Sequence, residues 1–591
     1  MNVEIFEIRD LGGGQFSLGL RSLGKVTSYV VTLSDAPVVG VSGPHSFWNL
    51  LRGNKTATSE ILKVLIGIQQ GDAVELPKQL SIEDNEFKDL SGEVPLWASR
   101  TAAWFLSSDS LKWASKHLTT RGSNTLFPVP FEHKLIGANV DNFTALVSRM
   151  NICEHEVRNF RQLWVPKSTA GRRSAVQLDP LDAFVLAAIT YELGEIVETI
   201  RVPPSEAIVF SFRFQPDEEG EIWDKHTNYD LFQECTLDWL LRPDTSVVAE
   251  TDIAAFYHTL KPSIVSAHLE RCGVPRKQAE ALNRLLESVD DEGLPVGPSF
   301  AALLAETVLA PIDQHLLSSG LKFVRFNDDY RFFCGNEIEA HSALQVLADA
   351  LLETAGLRMQ ESKTKISNKD DVIERIQGDW LTHLYAEDDD EEEKNRRLLD
   401  SARTVLEKSV DNSHVAWVRL FREAFSALPL EDKRDVLPLV LQHLARVWGV
   451  APQVSKSLEA LLPGTEGGRE LLNLVCDQLT NQINSLPDYA TSWILHAFWR
   501  NEWQGKEAFA NLGTMLTSQQ SATRRELLIA LKKTDSADSV SYDPHNPWQS
   551  RAHVWATERH KTLPLETESS SFRRLWAQVL YESIVDGDIV G

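Results

Sequence analysis

The segment Lys322-Phe323-Val324-Arg325-Phe326-Asn327-Asp328-Asp329-Tyr330-Arg331-Phe332-Phe333 constrains the fold more than any other part of this chain. Val324 and Phe326 alternate before a pair of adjacent acids, and Tyr330, Phe332 and Cys334 alternate after it. A period of two on both sides predicts two short strands joined by a turn that carries the acids. Folding alone gives a buried hairpin no reason to place two carboxylates at its tip. Phosphoryl transfer does, because paired acids hold divalent ions.

A second acidic strand lies upstream. Ser246-Val247-Val248-Ala249-Glu250-Thr251-Asp252 ends on an acid and runs into Ile253-Ala254-Ala255-Phe256-Tyr257. Between the two acidic elements, Gly293-Leu294-Pro295-Val296-Gly297-Pro298 must turn sharply. Phe300, Leu303, Leu304, Thr307 and Val308 then recur at helical spacing.

That order resembles the palm of reverse transcriptases. Asp252 to Tyr257 is similar to their D-x-x-x-[FY]-[FY] motif, the Gly/Pro loop to G-x-P-x-G-P, and Phe326 to Asp329 to [YF]-x-D-D. Pro166-Lys167-Ser168-Thr169-Ala170-Gly171-Arg172-Arg173, leading to Leu178-Asp179-Pro180, resembles the fingers motif. Gly356 to Thr364, ending in Lys363-Thr364, resembles the late palm motif. Leu304-Ala305-Glu306 with Ile312-Asp313, and the helical C-terminal part, resemble the bacterial abortive-infection and defence-associated branch. The implied fold is α+β: right-hand fingers and palm with an antiparallel sheet, then an all-α, HEAT-like domain in place of a thumb. Boundaries follow: 1–150 without an assigned role, 151–385 for fingers and palm, 386–398 an acidic linker, and 399–591 helical.

Asp252 and Asp328 are the metal-ligand candidates, with Asp329 as a weaker or outer ligand. Two acids on neighbouring strands suit Mg²⁺, which favours carboxylates, water and phosphate oxygens; Mn²⁺ is the alternative. The resemblance adds the carbonyl of Ile253 to the ligands and Gly297 to the nucleotide pocket. It implies that Tyr257 closes the space a ribose 2′-hydroxyl would need, which favours dNTPs. Lys167 and Arg173 are candidates for the triphosphate, with Arg172 competing by one residue of register. Lys363 is placed near the pyrophosphate. Val296 and Ala301 stand where many family members carry Gln and Ser, and Asn327 replaces a small or apolar residue. Losing two polar contacts near the template weakens the case for strict templating.

The expected activity is DNA synthesis of reverse-transcriptase type; the branch resemblance implies a role in antiphage defence and leaves open synthesis without a template, primed from a protein hydroxyl, as some members of that branch perform it. A conventional RNA-templated enzyme is the first alternative. An oligomeric, nucleic-acid-sensing scaffold with an unused palm is the second, and an RNA polymerase, which Tyr257 opposes, the third. Implied partners are dNTPs, a single-stranded DNA product, an RNA template in the conventional case, further copies of the chain and a phage-derived trigger.

Composition limits the alternatives. The formal net charge is −25, which disfavours a protein that coats nucleic acid, since that affinity comes mainly from neutralised phosphates. Part of the excess is the run Glu387 to Glu393, expected as a solvated linker. The five cysteines lack CxxC spacing, which argues against a zinc ribbon or a disulfide framework. No membrane span of about eighteen apolar residues is expected, nor a signal peptide, since the first residues carry acids; a cytoplasmic protein follows. Gly12-Gly13-Gly14 lacks the Lys-Ser/Thr of a phosphate loop and reads as a turn. Strands are expected at 29–33, 37–41 and 207–214, and helices over 182–197, through most of 75–160 and after the linker, with Trp97, Trp104, Trp113, Trp493, Phe498 and Trp499 in cores.

Overall fold

The computed structural model describes most of residues 103–377 and 425–557, and five strands of the first hundred residues. Those strands, β1 (Asn2–Gly12), β2 (Gln15–Ser22), β3 (Lys25–Leu33), β4 (Val39–Ser42) and β5 (Lys78–Ser81), form one antiparallel sheet in the order β4-β3-β2-β1-β5. The strand expected at 29–33 falls within β3, and residues 39–41 of the one expected at 37–41 fall within β4. At the start of the span expected to be helical, β5 is a strand instead, because it completes the edge of this sheet beside β1. Trp97 and the acidic run lie outside the described residues.

Helix α1 (Ser108–Thr120) and helix α2 (Phe131–Ala138) lead to a two-stranded hairpin, β6 (Arg161–Pro166) and β7 (Arg172–Gln177). Trp104 and Trp113 are buried, as expected. Helix α3 (Pro180–Ile200) follows; Asp179 caps it through the Leu181 N–H, and Pro180 occupies its first turn. Its inner positions are buried nearly all round, so it is a core helix rather than a surface one.

The span 207–214 is not a strand. Ala207 and Phe212 both have φ of 49°, a left-handed conformation that interrupts an extended chain. What remains is two isolated bridges, Val209 to Arg325 and Phe214 to Trp223.

Helix α4 (Tyr229–Leu240) precedes β8 (Val247–Asp252). Helix α5 (Ser299–Ser318) precedes the hairpin β9 (Phe323–Phe326) and β10 (Asp329–Cys334). Then come helix α6 (Glu337–Ala355), β11 (Lys365–Asn368) and helix α7 (Lys369–Gln377). The four strands form an antiparallel sheet in the order β11-β8-β10-β9. Both faces are covered. Phe323, Tyr330 and Phe332 join the main core, while Phe210, Phe232, Val248, Val324 and Phe333 form a separate cluster on the other side. Helix α5 meets the length and composition of a membrane span, but 78% of its apolar window is buried in protein, as in a core helix.

From 430 to 557 the described elements are helices of 4 to 17 residues and short 3-10 turns. A HEAT-like repeat is not established by them. Trp493 and Phe498 are buried there, and Trp499 is partly buried against the core. Helix α8 (Asp488–His496), helix α9 (Ser521–Ala530) and helix α10 (Pro547–Thr557) pack together, with α8 against β6.

The joint between the two parts is ionic and buried. Glu132 of α2 accepts from Arg525 at 2.6 Å and from Arg551 at 3.1 Å, and Arg551 also reaches Asp179 at 2.8 Å. All four side chains are at most 1% exposed. Burial works against the charge of Glu132, yet the two guanidinium groups hold its carboxyl below the ordinary range. Phe131 stacks on Trp555 at 4.9 Å, and the Trp493 indole N–H donates to the Leu126 carbonyl at 3.0 Å. Glu132→Ala is therefore expected to destabilise this joint by about 3 kcal/mol, because it removes a shared partner from two buried cations. Limited proteolysis should release the C-terminal helices faster than in wild type.

Candidate active site

Strand register brings the acids together. Asp252, the last residue of β8, stands directly opposite Asp329, the first of β10. Asp328 occupies the turn, and its carbonyl accepts from the Ile253 N–H at 3.2 Å. Three carboxylates thus gather at one end of the sheet.

Their electrostatics are unfavourable without a cation. Asp252 is 7% exposed, and its Oδ1 is buried with no hydrogen-bond partner. Burial pushes Asp328 above the usual carboxylate range, with the charge of Asp252 adding to it. Burial and the charges of Asp328 and Asp252 push Asp329 up to about 6. Part of the Asp329 side chain still faces solvent, which screens part of that cost.

The Lys363 ammonium pairs with Asp252 Oδ2. The segment before it is laced to the end of β8: the Ala254 N–H donates to the Arg358 carbonyl and the Gln360 N–H to the Asp252 carbonyl, both at 2.8 Å. Thr251 and Thr364 join their hydroxyls at 2.7 Å.

Among the described residues no three His, Cys, Asp or Glu side chains form a self-sufficient ion cage. The donors nevertheless fit Mg²⁺, which is usually held by one or two carboxylates together with substrate phosphates and water. The unpartnered Asp252 oxygen and the mutual repulsion of the acids are what a divalent ion would relieve.

Tyr257 follows a left-handed Ala255, at φ 48°, in the short helix Phe256–Thr259. Its hydroxyl donates to Asn327 Oδ1 at 3.2 Å. Burial and the charge of Asp328 push its phenol above the ordinary value. The Gly/Pro loop is fixed beside it. Leu294 N–H donates to the Tyr257 carbonyl at 2.7 Å, and a side chain on Gly293 would meet that same carbonyl at 2.4 Å. At the other end, Gly297 has φ of 130°, and a side chain there would lie 2.8 Å from the Val176 carbonyl of β7. Its glycine is thus required by the backbone. Val296 is half-buried and Ala301 buried.

Adjacent positions on β7 face opposite ways. Arg173 pairs with Val165 and lies near enough to Tyr257 for its charge to act on the phenol. Arg172 pairs with Pro166, and its guanidinium lies 5.7 Å from the Trp448 ring of the C-terminal part. Lys167 is exposed at the end of β6, and the next four residues lie outside the described set.

Sequence reading missed the support beneath the turn. Arg325 is 0% exposed and reaches Glu306 at 2.7 Å and Asp313 at 2.6 Å, both on α5. It also donates to the Asn327 carbonyl at 2.8 Å. Arg201 shares Glu306 at 3.0 Å and donates to the carbonyls of Ser211 and Phe212, both at 2.7 Å. Tyr330 donates its hydroxyl to Asp313 at 3.1 Å. The available signal was two acids seven positions apart on an apolar helix, facing a strand with one arginine.

Residues 224–395 match the family model for reverse transcriptase (RNA-dependent DNA polymerase). The match is confined to this part of the chain; it includes all three carboxylates and Lys363 but not the β6–β7 hairpin. No curated protein matches the sequence significantly. Among solved structures, one match is telomerase from Candida albicans in complex with a fragment of telomeric RNA. It is 12% identical with a TM-score of 0.26, over 57% of this chain and 66% of that chain, just under two thirds. Another is apo telomerase from Candida tropicalis, 9% identical with a TM-score of 0.28, over 72% of this chain and 70% of that one. Alignments this loose do not establish a shared overall fold.

Proposed function

We propose that this chain is a DNA polymerase that adds deoxynucleotides to a hydroxyl, without a template and from a protein primer, in antiphage defence. The observation that carries the polymerase reading is the pairing of Asp252 with Asp329 across the sheet, with Asp328 beside them, inside the matched domain. Asp252, Asp328 and the Ile253 carbonyl would hold Mg²⁺, with Asp329 as an outer ligand. When bound, the metal supplies charge neutralisation at the attacking oxygen and the departing pyrophosphate.

The chain's own groups bind and orient the nucleotide. Arg173 presents its guanidinium to the triphosphate from the fingers hairpin, and Lys167 adds a cation at the loop. Tyr257 sits where the sugar would rest and disfavours a 2′-hydroxyl. Lys363 holds Asp252 before the nucleotide arrives and is placed to meet the pyrophosphate afterwards. Arg173→Ala is expected to raise the dNTP KM at least about tenfold, the loss of one charge-assisted hydrogen bond. Arg172→Ala, whose arginine faces Trp448, should change it about twofold or less. Steady-state kinetics on both variants check this.

Half-buried Val296 and buried Ala301, in place of polar residues, support synthesis without a template. The defence role, oligomer and phage-derived trigger rest on the branch resemblance of Glu306, Asp313 and the helical C-terminal part, and the cytoplasmic location on the acidic first residues and the cysteine spacing. Templated synthesis on RNA is the second reading, favoured by the matched family's description. The test is labelled dNTP with Mg²⁺, with and without RNA, followed by denaturing electrophoresis. Label that stays with the protein in the absence of RNA supports the proposal. Label that appears only with RNA, in free DNA, supports the second reading.

A further inference from the structure

We propose that Asn327 is a positioning residue that ties Tyr257 to Asp328 and so sets the preference for deoxy- over ribonucleotides. The inference rests on the polymerase reading above. Asn327 adopts φ of 54°, left-handed for a residue other than glycine. Asparagine tolerates that conformation better than most residues, which accounts for a turn but not for the side-chain contacts.

All four polar groups of Asn327 are engaged. Its N–H donates to Ser211 Oγ at 2.7 Å, and its carbonyl accepts from Arg325 at 2.8 Å. Its Nδ2 donates to Asp328 Oδ1 at 2.7 Å, and its Oδ1 accepts from the Tyr257 hydroxyl at 3.2 Å. The amide orientation follows from chemistry. An ionised carboxylate only accepts, so the NH₂ must face Asp328. The amide oxygen then faces Tyr257, whose hydroxyl must donate.

One planar amide therefore spans the sugar-facing ring and a metal-ligand candidate. The backbone bonds to Ser211 and Arg325 hold it from beneath, on groups buried in the core. The Tyr257 ring is positioned on one side by Phe256, 5.1 Å between centroids, and on the other by this bond. Without the acceptor, the ring is free to tilt away from the sugar. A small or apolar side chain at this position offers Tyr257 no acceptor.

The test compares kcat/KM for a dNTP and its rNTP in wild type, Asn327→Gly, Tyr257→Phe and the double variant. Glycine suits the left-handed turn, so Asn327→Gly removes the amide without straining the backbone. Tyr257→Phe keeps the ring and removes only the donor, which serves if the glycine variant folds poorly. Each single change is expected to lower the dNTP/rNTP ratio about tenfold, as one hydrogen bond would. The double variant should fall no further, because both remove the same bond. A purely structural role for Asn327 would lower both rates and leave the ratio alone. An unchanged ratio in both single variants, or losses that multiply in the double, overturns the inference while wild-type incorporation sensitive to Asp328→Asn keeps the polymerase reading. A wild type that incorporates nothing overturns both.

Discussion

Asp328→Asn is expected to lower nucleotide incorporation about a thousandfold or more, the effect of losing several kcal/mol of transition-state charge stabilisation. The side chain keeps its size and its neighbour Asn327, so the hairpin should fold as before. Stability should not fall and is expected to rise slightly. Burial and Asp252 disfavour the Asp328 charge in the folded protein, and a neutral amide escapes that cost. The sign follows from a folded-state pKa above the unfolded one: the ionised carboxyl destabilises at neutral pH. Asp252→Asn should share the loss of activity. Incorporation assays beside thermal melting separate this from unfolding, because activity and stability are predicted to move in opposite directions.

Arg325→Met should have the largest effect on stability, a loss of about 3–5 kcal/mol, because one partner leaves a buried ionic network. Asp313 would lose its only guanidinium partner among the described contacts, and the Asn327 carbonyl would lose a donor. Glu306 would keep Arg201. The double variant Arg325→Met/Asp313→Leu should therefore recover a good part of the loss, since every remaining charge has a partner. Chemical denaturation of both variants checks this. Activity should fall in both, because the turn carrying Asp328 loses its anchor.

The acidic hairpin was legible in the sequence because its signal is local. Alternating apolar residues on each side of Asp328-Asp329 define two strands and a turn, which are β9 and β10. The Asp252 strand was legible for the same reason. Its register against Asp329 was not, since cross-strand pairing is a tertiary fact. The strand expected over 207–214 failed because Arg201, from the end of α3, captures the Ser211 and Phe212 carbonyls. No local pattern records that capture. Likewise β5, in a span expected to be helical, is a strand because β1 supplies its partner. The surroundings of Arg172 and Arg173 needed the hairpin register: Arg172 lies by Trp448, while the charge of Arg173 reaches the Tyr257 phenol. Asn327 was visible as an unusual residue, but its role depends on Tyr257, seventy positions away in the chain.

The most direct measurement is incorporation of each dNTP, and of each rNTP, by the purified protein with Mg²⁺, beside Asp328→Asn. The account predicts dNTP incorporation that vanishes in the variant and exceeds rNTP incorporation. Incorporation that survives Asp328→Asn, or none from a wild-type protein of intact fold with or without RNA, would contradict the assignment of these carboxylates to nucleotidyl transfer.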